Sequence, residues 1–135
     1  MKSILRFMVP KSLVEYITVD STVRQALEKM HFHKYTAIPV LDTNGKYVGT
    51  LRNDDLLTHL WKGGWGDKEA AEAIPISNLL SKSQSKPLLH SASIKDLIES
   101  VKEHNFVPVV DDRGCFIGIV LRREILNYLS ANYKE

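Results

Sequence analysis

The 135 residues carry 44% hydrophobic side chains and a formal net charge of +2, enough apolar mass for a buried core and too little charge to call for nucleic acid or an anionic membrane. The lone cysteine, Cys115, excludes an intrachain disulfide and a cysteine-based zinc site, which fits a reducing, cytoplasmic setting. The opening MKSILRFMVP is too short for a signal peptide, its apolar run being broken at Arg6, and no stretch of about 18 apolar residues exists to span a bilayer.

In chain order, Ser3 to Met8 reads as a short amphipathic helix with Ile4, Leu5 and Met8 on one side and Pro10 closing it. Val14 to Val19 alternates and is β-branched, predicting a strand. Asp20, Ser21 and Thr22 offer N-caps for a helix whose apolar face is Val23, Ala26, Leu27 and Met30 and which ends near Lys34. Thr36 to Leu41 is a nearly continuous apolar run of strand length, and Asp42 to Gly45 supplies the turn of a hairpin that returns along Lys46 to Leu51. Asn53 or Asp54 then caps a helix with Leu56, Leu57 and Leu60 facing inward.

The glycines of Lys62 to Gly66 mark a boundary, with Trp65 expected to clamp this linker on its own domain or else to cover a ligand or meet a partner, and Asp67 to Ala73 expected to make a helical turn or two. Beyond it Ile76 to Leu80 is expected to serve the second half as Ile4 to Met8 serves the first. A weak strand at Lys86 to His90 follows, then a helix capped within Ser91 to Ser93 with Ile94, Leu97, Ile98 and Val101 inward. A hairpin of Val107 to Val110 and Phe116 to Val120 leads into a last helix from Arg122 to about Ala131.

The two halves are copies. At a constant offset of 69, Pro39 falls on Pro108, Asp42 on Asp111, Gly45 on Gly114, Gly49 on Gly118, Asp55 on Glu124 and Leu57 on Leu126. Upstream the offset is 71, setting Val23, Ala26, Leu27 and Met30 on Ile94, Leu97, Ile98 and Val101, so the second copy is two residues shorter between its helix and its strand. An internal repeat of this length settles the architecture: an α/β (α+β) chain of two tandem units, each strand-helix-strand-strand-helix. The expected boundaries are 1–61 for the first repeat with its N-terminal helix, 62–75 for the linker and 76–135 for the second repeat. A copy of about 55 residues is marginal alone, so the two are expected to pack on each other and on a second chain.

An apolar-Pro-Val strand, Asp and Gly in the turn, then apolar-Gly-apolar leading into a capped helix resembles the CBS domain, and two such copies resemble the CBS pair called a Bateman module. The resemblance implies a pseudo-twofold fold and a regulatory module rather than an enzyme, often a disc-shaped dimer. It implies an adenine nucleotide or adenosyl ligand in the clefts between the repeats, as a regulatory ligand and not a cofactor, with no attached catalytic domain. YTAIPVLD at Tyr35 to Asp42 and LRRE at Leu121 to Glu124 also look like small bacterial pairs that bind cyclic di-AMP.

The family's ligand signature is Gly, apolar, any, Thr or Ser, two residues, then Asp or Asn. Glycine admits a close backbone, the hydroxyl and the helix N-terminus meet phosphate, and the carboxylate accepts from the ribose hydroxyls. In the first copy Gly49 opens the frame, Arg52 replaces the hydroxyl and Asp55 keeps the acid; in the second Gly118 opens it, Leu121 replaces the hydroxyl and Glu124 the aspartate. Arg52, Arg122 and Arg123 near helix N-termini suit phosphate, or else pair with Asp54, Asp55 and Glu124; Asp55 equally suits the positive end of its own helix. For an adenine slot the candidates are Tyr16 and Ile17 with Thr36, Ala37 and Ile38, and correspondingly His90, Phe106 and Val107, Tyr16 and Phe106 otherwise serving simply as core. The histidines lack metal-ligand spacing, and no catalytic fingerprint occurs. Two functions of different class follow: an AMP, ATP or cyclic di-AMP sensor that signals, as a homodimer, to an effector protein, or a ligand-free module that dimerises or docks on an enzyme or transporter.

Overall fold

A computed structural model describes residues 3–63, 74–80 and 86–133. The expectations for Trp65, for a helical turn at 67–73 and for the side chain of Leu60 lie outside the described residues. The fold is mixed α/β, with four α-helices and two sheets among the described residues: β1 Met8–Pro10, β2 Ile17–Thr18, α1 Val23–His33, β3 Ala37–Leu41, β4 Tyr47–Arg52, α2 Asn53–Gly63, β5 Leu88–Leu89, α3 Ile94–Val101, β6 Phe106–Val110, β7 Phe116–Leu121 and α4 Arg122–Ala131. Among these residues no helix is long and apolar enough to cross a membrane.

The repeat persists down to individual hydrogen bonds. Thr22 caps α1 with a reciprocal capping box to Gln25, and Ser93 does the same for α3 with Asp96, each box satisfying two backbone donors that a helix start otherwise leaves open. In each hairpin turn one aspartate oxygen accepts two amides, Asn44 and Lys46 on Asp42, Arg113 and Cys115 on Asp111, at 2.8–3.0 Å. Both turns need a left-handed residue, filled by Gly45 at φ 84° and Gly114 at φ 83°. The parallel β2–β3 pair registers Ile17 on Val40, and β5–β6 registers Leu88 on Val109; the antiparallel hairpins even share a register shift after Val40 and after Val109. The two-residue shortening of the second copy falls at the helix end, where α1 closes on a left-handed Lys34 and α3 stops earlier at Val101.

The chain divides into two compact units, one of Met1–Val14 with Ser85–Glu135 and one of Glu15–Gln84. In the second of these the sheet runs β2-β3-β4, and its core is Ile17, Val23, Ala26, Met30, Ile38, Val40, Leu51, Leu56 and Ile76. In the other the sheet runs β1-β7-β6-β5 over a core of Ile4, Leu97, Val101, Val107, Val109, Val120 and Ile125.

Each leading segment therefore serves the other copy from the one expected. Ile4 is buried with the second copy and Ile76 with the first, tied there by Thr22 bridging Pro75 and by the Ile76 amide on Ser21 O at 3.1 Å. Apolar periodicity reports a buried face, not which core receives it.

Ser3 to Met8 also departs from an α-helix: Ile4–Phe7 is a single 3-10 turn, and Met8–Pro10 is a strand antiparallel to β7, which leaves Leu5 exposed. That strand comes so near that a Cβ on Gly118 would run into Val9 O and the Met8 side chain, so this glycine makes room for the chain itself. Leu57 is 52% exposed and its counterpart Leu126 54%, because one helical step of about 100° past the buried Leu56 and Ile125 turns the next side chain away.

Ile4→Ala is expected to cost about 2–5 kcal/mol and to speed amide exchange in β6 and β7 more than in β3 and β4, measured by exchange mass spectrometry.

Candidate functional site

In the first repeat the corner where β4 turns into α2 gathers the candidates. Ala37 registers on Arg52, the Asn53 amide donates to Thr36 O at 3.0 Å, and the Arg52 amide donates to the Asp55 carboxylate at 2.9 Å. Thr36, Ala37, Arg52 and Asp55 are thus adjoining. Asp55 is the third residue of α2, and its carboxylate satisfies the amide just before the helix while lying at the positive end of the helix dipole. Neither Asn53 nor Asp54 supplies this cap bond.

Tyr16 is fixed separately, before β2: its carbonyl accepts from Lys29 Nζ at 2.7 Å and the same ammonium lies 5.9 Å from its ring centre, while Glu15 pairs with Lys29 at 3.2 Å. Ile17 and Ile38 are buried in the core and present no side chain to a slot.

The second repeat builds the same backbone corner with different side-chain commitments. Phe106 registers on Leu121 and the Arg122 amide donates to Asn105 O at 2.8 Å. Arg122 Nε donates to Val101 O at 2.7 Å and His104 O at 3.2 Å, placing the cation on carbonyls at the end of α3, where the helix dipole favours it. Arg123 and Glu124 are exposed on the first turn of α4, and Phe106 is half-buried.

Two expectations for an adenine slot here are corrected. Val107 is 1% exposed and belongs to the core, because alternation along β6 turns it inward. His90 bonds through its amide to Val110 O, at the far end of β6 from Phe106, and its Nε2 lies 3.3 Å from Asp112 Oδ1. Four strand steps, about 13 Å, separate the two ends.

The sequence reading missed one polar pair. The Tyr47 hydroxyl and Thr50 Oγ1 are 2.6 Å apart, and Thr50 is buried at 6% exposure. At offset 69 these residues stand opposite Phe116 and Ile119, so polar side chains facing apolar ones in the other copy were the available signal. Burial raises the Tyr47 pKa above the ordinary tyrosine value, opposed by the Thr50 hydrogen bond and the Arg52 charge.

The chain belongs to the CBS domain family, whose model matches residues 6–62 and 82–131. It is similar to the inosine-5'-monophosphate dehydrogenase of Nitrosopumilus maritimus, 26% identical over 111 residues that make up 82% of this chain and 21% of that enzyme. The curated relatives it matches are all longer, and the chain spans 19–61% of their lengths. Among solved structures it is similar to Listeria monocytogenes CbpB in complex with c-di-AMP, with a TM-score of 0.80, 22% identity and 95% of each chain covered. It is also similar to CBSX2 in complex with AMP, with a TM-score of 0.78, 23% identity, and 97% of this chain and 98% of that one covered.

Two measurements check the first-repeat corner. Asp55→Ala is expected to lose about 0.5–2 kcal/mol of stability and Asp55→Asn much less, since an amide oxygen still accepts from Arg52; chemical denaturation reads both. For Tyr47, a folded pKa raised above the unfolded one means a contribution intact below pH about 10 and lost as pH climbs through the folded pKa. Tyr47→Phe is expected to flatten that part of the alkaline unfolding profile.

Proposed function

We infer that this chain is a regulatory module, without catalysis of its own, that binds an adenine nucleotide of the AMP, ATP or cyclic di-AMP class and passes its ligand state to a partner protein. The observation that carries this reading is the first-repeat corner, where the Asp55 carboxylate, the backbone of Arg52, the exposed Thr36 and the start of α2 adjoin in a chain of the CBS family. A carboxylate there accepts from ribose hydroxyls, and a guanidinium beside a helix start meets phosphate. The likeness to CbpB with c-di-AMP and to CBSX2 with AMP supports the ligand class. Tyr16 and Ala37 are proposed beside the base; Phe106, Arg122, Arg123 and Glu124 make up the equivalent corner of the second repeat. A homodimer in the cytoplasm is the proposed working form, coupled to its effector by the ligand preferring one of two arrangements.

A second reading, a ligand-free module for dimerisation or docking on an enzyme or transporter, is favoured by one observation: Arg52 and Leu121 stand where the family signature has a hydroxyl.

A thermal-shift panel of AMP, ADP, ATP, NAD, S-adenosylmethionine and cyclic di-AMP separates the two. A true ligand at a hundredfold excess over its dissociation constant adds about 2.7 kcal/mol, whereas no shift with any of the six favours docking. Asp55→Ala is expected to weaken the bound nucleotide roughly ten- to a hundredfold by calorimetry.

A further inference from the structure

We propose that Asn44 is a site of spontaneous covalent ageing: in the turn between β3 and β4 its side-chain amide is lost to a cyclic imide that water reopens as aspartate or isoaspartate, and the matching turn of the second copy is spared. No ligand or partner enters this step, so it stands apart from the nucleotide reading above.

The chemistry needs an asparagine followed by a residue that leaves room around its amide nitrogen. Asn44 is the one asparagine of the chain that precedes a glycine; Asn53, Asn78, Asn105, Asn127 and Asn132 precede Asp54, Leu79, Phe106, Tyr128 and Tyr133. Gly45 has no Cβ to crowd the attacking nitrogen and lets the backbone swing towards the side chain. The position fits as well. Asn44 is exposed, and among the described residues no hydrogen bond holds its side-chain amide.

The step balances without redox. Solvent hydroxide takes the Gly45 amide proton, the Gly45 nitrogen bonds to Asn44 Cγ, and the Cγ–Nδ2 bond breaks, Nδ2 leaving as ammonia with a proton from water. Water then opens the imide. Opening at Cγ gives aspartate; opening at the Asn44 main-chain carbonyl gives isoaspartate, with the chain now routed through Cβ and Cγ. The folded turn slows this without stopping it. The Gly45 amide donates to Asp42 O at 3.1 Å, so that bond has to open first, and it lies in an exposed turn, where local opening costs least free energy.

The second copy is an internal control. Asp111 Oδ1 accepts the amides of Arg113 and Cys115 as Asp42 Oδ1 accepts those of Asn44 and Lys46, and Gly114 donates to Asp111 O at 3.0 Å as Gly45 does to Asp42 O. The residue before the glycine decides, since arginine has no side-chain carbonyl to attack. The two products differ in consequence. Aspartate sets a second negative charge beside Asp42. Isoaspartate inserts a methylene into the main chain between the two amides that share Asp42 Oδ1, so the pair no longer fits one oxygen, and the Asp42 amide to Lys46 O bond that closes the hairpin at 2.9 Å is disturbed.

The test incubates the full folded chain at mildly alkaline pH, beside the same chain in denaturant, and maps both by peptide mass spectrometry with fragmentation that separates aspartate from isoaspartate. In the folded chain Asn44 is expected to convert at least roughly tenfold faster than any other asparagine, and more slowly than in the denatured chain because the turn has to open. Asn44→Gln is expected to abolish conversion at this turn, and Arg113→Asn to bring the second turn to a rate within about threefold of the first. In the isoaspartyl form the Lys46 amide is expected to exchange faster than in the unreacted chain. Asn44 staying intact in the folded chain while it reacts in the denatured one overturns the proposal, as does faster conversion of any other asparagine. A second turn left unreacted in Arg113→Asn overturns the assignment of the difference to the residue before the glycine. Should Arg113→Asn not fold, the comparison among the six asparagines decides alone.

Discussion

Each repeat turns from its hairpin into its closing helix through one backbone hydrogen bond, from the first helical amide to the carbonyl preceding the inner strand, Asn53 to Thr36 and Arg122 to Asn105. That bond satisfies a donor which a helix start otherwise leaves open, and it clamps the helix N-terminus against the head of β3 or β6. Together with the β3–β4 and β6–β7 ladders it sets the strand end, the helix dipole and the side chains of the first turn in one relation. The candidate chemistry of this protein is a matter of what each copy mounts on that shared joint.

Divergence on a common joint explains how duplication can yield unlike corners. Backbone geometry is kept because both copies need the same caps, the same aspartate-centred turns and the same left-handed glycines. Side chains on the joint are free to drift. The first copy carries a pre-set acid and a polar Tyr47–Thr50 pair; the second carries Phe116 and Ile119 in their place and redirects an arginine onto its own α3. A part-buried tyrosine hydroxyl has to be matched by a partner, which Thr50 supplies from the same strand, β4.

Much of this was legible from residues alone, for definite reasons. The offsets of 69 and 71 predicted the doubled strand-helix-strand-strand-helix order, and cap chemistry narrowed the helix starts to Asp20–Thr22 and Ser91–Ser93, of which the structure uses Thr22 and Ser93. The last helix begins at Arg122 as expected, because the apolar run of β7 ends there. What failed were inferences about addresses. Leu56 and Leu57 read together as one inward pair in the sequence, though adjacent helical residues diverge and Leu57 is exposed. The repeat pattern suggests one slot for His90 and Phe106, whereas the parallel pairing of β5 on β6 sends them to opposite ends. Met8 to Pro10 looked like the close of a helix because its strand partner, β7, lies more than a hundred residues away. The Arg122 clasp has the same character, a contact whose second half is set by where α3 ends and not by any local pattern.

The placement of Ile4 and Ile76 has a consequence for how such a chain is cut or inherited. Severing it anywhere in 64–73 yields an amino-terminal piece that carries a strand belonging to the other sheet and lacks the isoleucine its own interior requires, and a carboxy-terminal piece with the reciprocal defect. The sequence repeat is consequently not the same stretch as the compact unit, since each unit takes its leading isoleucine from the segment that precedes the other copy.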